Sequence, residues 1–511
     1  MKSSAWTEAL LLSVIAFFSG AIVMVIELTG NRILAPVFGN SLYTWTGLIG
    51  VILTAMSAGY CYGGWLVDRK PTPVLLGHIL GLAAVFVLIV PFLHLSADLF
   101  LSGTSAVWGP AVAAGMFFAL PGFLLGAVPP FCVRLVSLLS ADRHVGISSG
   151  IVGTLSMLGS VAGTFATGFL LIPRFDLWTI FLGSGIVLAC MAAAVYGVAL
   201  RKPLNLAVPV AVIFLALLLA GWVARKNPPM PWHILFHKIT FFHRIVVFRG
   251  PELANGDFVT TINTDNSTAG ARFEHSPESP LVYNRYWELS RLYCPRMQRA
   301  LFLGGGAFTM PQALSRAYPG AQVEVCEIDP QVIEAGKIFF RTGDYPHMKI
   351  AAEDARRYLR SDNGQYDLVF GDVFHGKHNV PFHLVTKEFF DLVRQRLTPD
   401  GIYMMNIISA IEGDRARFFR AITRTLSEVF GRVDVYATNR QNPGDLQNII
   451  IVAGMRMGTY DDFLRIEPPG GLQALLATRV PPQDYSLEGS PVFTDSYNPV
   501  EYIVTGNAGA V

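Results

Sequence analysis

The N-terminal part of this chain holds seven apolar runs: Ala9–Leu28, Thr46–Leu66, Val74–Leu95, Val107–Val128, Gly150–Ile172, Leu177–Leu200 and Leu204–Val223. Each has about the 20 residues a helix needs to cross the hydrocarbon core of a bilayer. No compact soluble domain uses such runs in series, so residues 1–226 read as a multi-pass helical membrane domain of about seven spans. Composition agrees. The 511 residues are 52% hydrophobic and 15% charged, against about 25% charged for soluble proteins, and the deficit falls in the first half. The first run lacks a signal-peptide cleavage site and is expected to be retained.

Charges between the runs bear on orientation. Arg69 and Lys70, Arg134 and Arg143, and Arg201 and Lys202 follow the even-numbered runs, which places the N-terminus in the cytoplasm. Seven crossings then carry the C-terminal part outside, whereas a cytosolic substrate would require it inside. The fifth run contains Gly159 and Gly163 in a GxxxG spacing, which either lets two helices approach closely or reflects the glycine content of membrane segments. Glu27, with Arg32 near it, stands at a membrane edge and reads as a functional acid or an interfacial ion pair. "GGWLVDRKPTP" (Gly63–Pro73) resembles the short loop between the second and third helices of major facilitator transporters.

Net charge is +2, too close to neutral to suggest nucleic acid. The five cysteines stand singly with no CxxC pair, so neither a zinc site nor a disulfide framework is indicated, and no metal is expected.

"NPPMPW" (Asn227–Trp232) is a linker. Residues 227–298 comprise it and a small β domain, with strands near His243–Arg249 and Asp257–Thr264 around an "ANGD" turn. Residues 299–511 alternate strands and helices. Strands are expected near Ala300–Gly304, Gln322–Glu327, Lys349–Ala351, Tyr366–Gly371, Ile402–Asn406, Val433–Ala437 and Gln447–Val452. That pattern predicts a doubly wound, Rossmann-like α/β sheet, whose ligand sits at the carboxyl ends of the strands.

Four features stand at those ends. Gly304, Gly305 and Gly306 follow the first strand, where missing side chains allow a sharp turn and close approach of a ligand. Glu327 ends the second strand about 20 residues on, where a carboxylate can accept both ribose hydroxyls. Asp354, in "AEDA" after the third strand, reads either as an acceptor from an adenine amine or as a helix N-cap. Asp372 ends the fourth strand, in "YDLVFGDVFHGKHNVP".

At this point a resemblance emerges. "LFLGGGAFTMP", "VEVCEID", "AEDARRYL" and "YDLVFGDVF" are similar to the motifs of spermidine synthase and related aminopropyltransferases, over roughly residues 236–455. The whole chain resembles the bacterial membrane-fused branch of that family, and "TDSYNPVE" (Thr494–Glu501) resembles a segment of that branch. The resemblance implies a displacement at carbon. An amine attacks the carbon beside the sulfonium of decarboxylated S-adenosylmethionine, and methylthioadenosine leaves. The nucleoside is then a substrate, with no tightly bound cofactor. The implied roles are ribose binding for Glu327, adenine binding for Asp354 beside Ala355, and general base for Asp372. Tyr283, in "SPLVYNRYWEL", orients the amine. His243 aligns with a glutamine of the family at the nucleoside site.

The departures concern the amine side. His375 replaces the second acid of the family's DSSDP-like loop, Ala307 the acid of its GGGDGG loop, and Asn284 and Arg285 the histidine and glutamate after its tyrosine. His375 and Arg285 therefore become candidate substrate contacts. Three readings follow: an aminopropyl or alkyl transferase with an unusual acceptor; an enzyme that cleaves or methylates with ordinary S-adenosylmethionine, Arg285 pairing with its carboxylate; or a nucleoside sensor coupled to a transporter-like bundle. The expected partners are the small-molecule nucleoside, the bilayer of a bacterial inner membrane and a second copy of the chain as a homodimer. Substrate supply places the soluble domain in the cytoplasm.

Overall fold

The computed structural model describes residues 2–38, 41–95, 107–139, 145–200, 233–240, 242, 244–265, 267–373, 380–466 and 470–506. The chain forms two compact units, Met1–Pro229 and Met230–Val511.

The first unit is helical. Its helices are α1 (Lys2–Phe38), α2 (Leu42–Arg69), α3 (Pro73–Leu95), α4 (Gly109–Leu139), α5 (Val145–Ala166, extended by a π-helical turn to Leu171) and α6 (Leu177–Leu200). All six have stretches long and apolar enough to cross a membrane. The expected seventh run, Leu204–Val223, lies outside the described residues. Glu27 sits on α1 within its candidate span, Trp6–Ala35.

Helix pairs approach through small residues. A Cβ on Gly159 of α5 would stand 1.9 Å from the carbonyl oxygen of Phe17 on α1, and one on Gly163 2.4 Å from that of Ala21. The GxxxG spacing is thus a contact surface, sealed by a hydrogen bond from Ser160 Oγ to Gly20 O (3.2 Å). In a bilayer, where no hydrophobic force acts between helices, such close packing would hold them together. At the end of α2, Asp68 pairs with Arg134 of α4 at 3.5 Å.

The second unit starts with a four-stranded antiparallel sheet in the order β1-β2-β3-β4: β1 (Ile234–Ile239), β2 (Arg244–Arg249), β3 (Val259–Thr264) and β4 (Ser267–Phe273). The sequence pattern marked β2 and β3. It missed β1, whose burial does not alternate cleanly, and β4, which is rich in Ala, Ser and Gly.

An eight-stranded sheet follows: β5 (Arg299–Leu303), β6 (Gln322–Glu327), β7 (Lys349–Ala352), β8 (Tyr366–Gly371), β9 (Leu397–Ser409), β10 (Val433–Ala437), β11 (Gln447–Gly454) and β12 (Arg479–Val480), in the order β12-β10-β11-β9-β8-β5-β6-β7. Strands β7, β6, β5, β8 and β9 are parallel, whereas β11, β10 and β12 join antiparallel. The sheet is therefore mixed, and its doubly wound part is confined to the parallel strands. Central strands are apolar throughout: Leu301, Leu303, Leu368 and Val369 are fully buried, as expected of parallel strands covered on both faces. Helices α7 (Thr309–Ala317), α8 (Pro330–Phe339), α9 (Ala355–Ser361), α10 (Lys387–Gln395) and α11 (Arg417–Phe430) provide the cover. The chain leaves β5 for β6 on one side and returns to β8 on the other. This reversal is the switch point at which an open α/β sheet binds its ligand.

Candidate functional site

The glycine loop is built by contacts as much as by openness. Gly304 has φ +96°, and a Cβ there would stand 2.2 Å from the carbonyl oxygen of Asp372. Gly306 has φ +50°, and its Cβ would stand 2.4 Å from Ala269 O on β4. The loop is thus wedged between the end of β8 and the small sheet, and any side chain would force these apart. Ala307 is buried against Gly270.

Glu327 closes the loop from the neighbouring strand. Its Oε2 accepts from Gly305 N at 2.8 Å and its Oε1 from Asp329 N at 2.9 Å. Two backbone donors fix the carboxylate at the end of β6.

Asp354 is the N-cap of α9. Its Oδ1 accepts from Arg357 N at 3.0 Å, and its Oδ2 lies 2.9 Å from His383 Nε2. The His383 bond and the helix N–H groups hold its carboxyl below the usual carboxylate range, against an opposing effect of burial. Ala355 is buried at the first helical position.

Asp372 follows β8. Its Oδ1 accepts from Asn406 Nδ2 at 2.9 Å and its Oδ2 from the Tyr283 hydroxyl at 3.3 Å. Asn406 Oδ1 in turn accepts from Asn448 Nδ2 at 3.0 Å. Burial pushes the Asp372 carboxyl above its ordinary value, which the two hydrogen bonds only partly offset. Burial and the adjacent Asp372 raise the Tyr283 hydroxyl well above its usual range, so it stays a protonated donor.

The structure thus brings Tyr283 and Asp372 into contact. Gly304 meets Asp372, and Gly305 meets Glu327. Arg285 reaches elsewhere: it is exposed, 3.9 Å from Glu288 and beside Gly471. Asn284 is buried and donates to Ser279 Oγ and Thr309 Oγ1. His243 and His375 lie outside the described residues.

Sequence reasoning missed Asn406, Asn448 and His383. Asn406 carried one usable signal, a lone amide interrupting the apolar run "IYMMNII" of the strand beside β8. A further contact set surrounds His383. Arg356 donates to His383 O and grips Asp495 of "TDSYNP" through both guanidinium nitrogens, at 2.8 and 2.5 Å. Asn498 of the same segment donates to Phe382 O at 2.7 Å.

A mixed sheet with a glycine turn after β5 and carboxylates at the ends of β6, β7 and β8 defines a Rossmann-like α/β domain. Residues 288–455 match the family described as the spermine/spermidine synthase domain, so the chain carries a domain of that family. It is 29% identical over 161 residues to a polyamine aminopropyltransferase of Vibrio vulnificus (strain CMCP6), covering 30% of this chain and 52% of that one. It is 23% identical over 408 residues to polyamine aminopropyltransferase 2 of Aquifex aeolicus (strain VF5), covering 76% and 77%. That second alignment is longer than residues 230–511 and so reaches into the helical unit. The chain spans about half the length of the Vibrio relative. A probable spermidine synthase structure from Corynebacterium glutamicum ATCC 13032 overlays with a TM-score of 0.42 at 19% identity, covering 53% of this chain and 98% of that one.

Proposed function

We propose that this protein is a membrane-anchored enzyme of the aminopropyltransferase type, which binds an adenosyl sulfonium and releases 5'-methylthioadenosine. The substrate is S-adenosylmethionine or its decarboxylated form, bound without any resident cofactor. The observation that carries the reading is Asp372, a carboxylate held by Tyr283 and Asn406 at the switch point, one strand from the Glu327-braced glycine loop.

Glu327 accepts the ribose hydroxyls and Asp354 the adenine amine, with Gly304 to Gly306 and Ala355 lining the nucleoside. The sulfonium supplies the driving force, so the protein mainly orients the two reactants. Asp372 takes a proton from the attacking amine as general base. The nitrogen lone pair forms the new C–N bond, the C–S bond breaks, and its electrons return to sulfur as a neutral thioether. Tyr283 orients the nucleophile through its bond to Asp372. A carboxyl pushed above its ordinary value by burial accepts a proton more readily than an ordinary aspartate does. His243 remains a candidate contact at the nucleoside, and His375 and Arg285 remain candidate contacts on the acceptor side. The helical unit anchors the domain to the bacterial inner membrane, with the domain on the cytoplasmic side, where adenosyl sulfonium compounds are made.

The test incubates detergent-purified full chain with each sulfonium form, with and without a panel of amines, and follows methylthioadenosine by chromatography. Release that requires the decarboxylated form and an amine is expected. Release from ordinary S-adenosylmethionine without amine would assign a cleavage reaction instead. Nucleoside binding with no release in any mixture would overturn the enzymatic reading.

A further inference from the structure

Away from Asp372, three arginines meet where the small sheet packs on the larger one, and none of them has a carboxylate within 4.0 Å among the described residues. Arg272 of β4 is only 8% exposed. Its Nη1 donates to Phe340 O at the end of α8 (3.2 Å), a carbonyl already taken by Gln312 Nε2 (2.7 Å). The buried Nε of Arg272 has no hydrogen-bond partner. Arg316, in the last turn of α7, donates to the Tyr345 hydroxyl (2.5 Å) and to Pro277 O (3.1 Å). Arg341 donates to Glu274 O (3.1 Å). The Glu274 carboxylate is itself engaged by Arg249.

A guanidinium buried without a counter-charge is costly, and like charges beside it add to that cost. Burial first, then Arg341 and Arg316, lower the Arg272 pKa; the opposing influences are Tyr345 and Asp344. Arg341 adds a second sign of function. It stands just past the end of α8 with φ 55°, the left-handed position that glycine usually fills. An arginine kept there at the expense of backbone strain has a use for its side chain.

We propose that Arg272, Arg316 and Arg341 form a binding site for a phosphate group. Three forked donors arriving from β4, α7 and the end of α8 suit a tetrahedral oxyanion with three free oxygens better than a planar carboxylate. The phosphate is either free in solution or the headgroup of an anionic lipid, and the chemistry of recognition is the same.

The test uses the full chain in neutral detergent at constant ionic strength. Binding is titrated with inorganic phosphate and, separately, with dihexanoyl phosphatidylglycerol. Saturable binding of one probe, weakened at least tenfold in the R316Q/R341Q double variant, is expected. Phosphate binding identifies a soluble ligand, and binding of the lipid alone identifies a headgroup. A second variant separates ligand binding from structure. Arg341→Gly relieves the left-handed strain, so its unliganded Tm should rise while probe binding falls. Failure of both probes to bind the wild type, or unchanged binding in both variants, would overturn the proposal.

Discussion

The two ends of the candidate site place the same chemical group under opposite influences. Asp354, after β7, is held by helix N–H groups and His383, and its carboxyl stays low. Asp372, after β8, is held by one amide and one phenol in a buried setting, and its carboxyl is pushed up. Environments that drive two acids apart divide their labour. In the proposed reaction the low one would serve as a fixed negative acceptor and the high one as a group that exchanges a proton. Glu327 belongs with the fixed end, since backbone donors occupy both of its oxygens.

The sharpest break of this contrast is Asp372→Asn. It keeps the shape and abolishes proton acceptance, so turnover should fall about 10²- to 10⁴-fold while nucleoside affinity, read by calorimetry, barely moves. A parallel loss of affinity would place Asp372 with the binding end instead. Next in size is Glu327→Gln, which removes charge from two backbone hydrogen bonds and from the ribose. Hydrogen bonds to charged groups contribute about 1.5–3 kcal/mol, so nucleoside Kd should rise roughly 10- to 100-fold. An effect confined to kcat would contradict the assignment.

Asn406→Ala sharpens the contrast from the other side. Asn406 is the first of two donors that lower the Asp372 carboxyl. Without it that carboxyl rises further, and the acid limb of the pH–rate profile should move to higher pH at little change in nucleoside Kd. The smallest effect concerns stability. A depressed folded pKa, as at Asp354, contributes stability that is present above the unfolded value near 3.8 and is lost as pH falls through the lower folded value. A raised one, as at Asp372, has the reverse sign: stability is lost as pH rises from 3.8 through the folded value. Tm of Asp354→Asn should therefore converge on wild type in strong acid, whereas Tm of Asp372→Asn should gain on wild type as pH rises.

What the sequence made legible was local. Gly304, Glu327, Asp354 and Asp372 could be placed because each ends a strand whose apolar run is visible in the chain itself. The double role of Asp354 was half legible: its N-cap reading needs only Arg357, three residues on, whereas its bond to His383 spans 29 residues. Asn406 and Asn448 escaped because their value comes from β9 lying between β8 and an antiparallel β11, and periodicity does not specify strand order. The mixed character of the sheet was hidden for the same reason. In the helical unit, Gly159 and Gly163 were legible as a spacing, but their partners on α1 were not.

The amide chain from Asn448 through Asn406 to Asp372 has a consequence for the order in which the site comes into being. Glu327 closes on Gly305 across 22 residues, within a single strand-helix-strand segment. The amide that steadies Asn406 comes later, from Asn448, 42 residues beyond it. During synthesis the Gly305–Glu327 contact can therefore form before the Asn448 amide that steadies Asn406 is present.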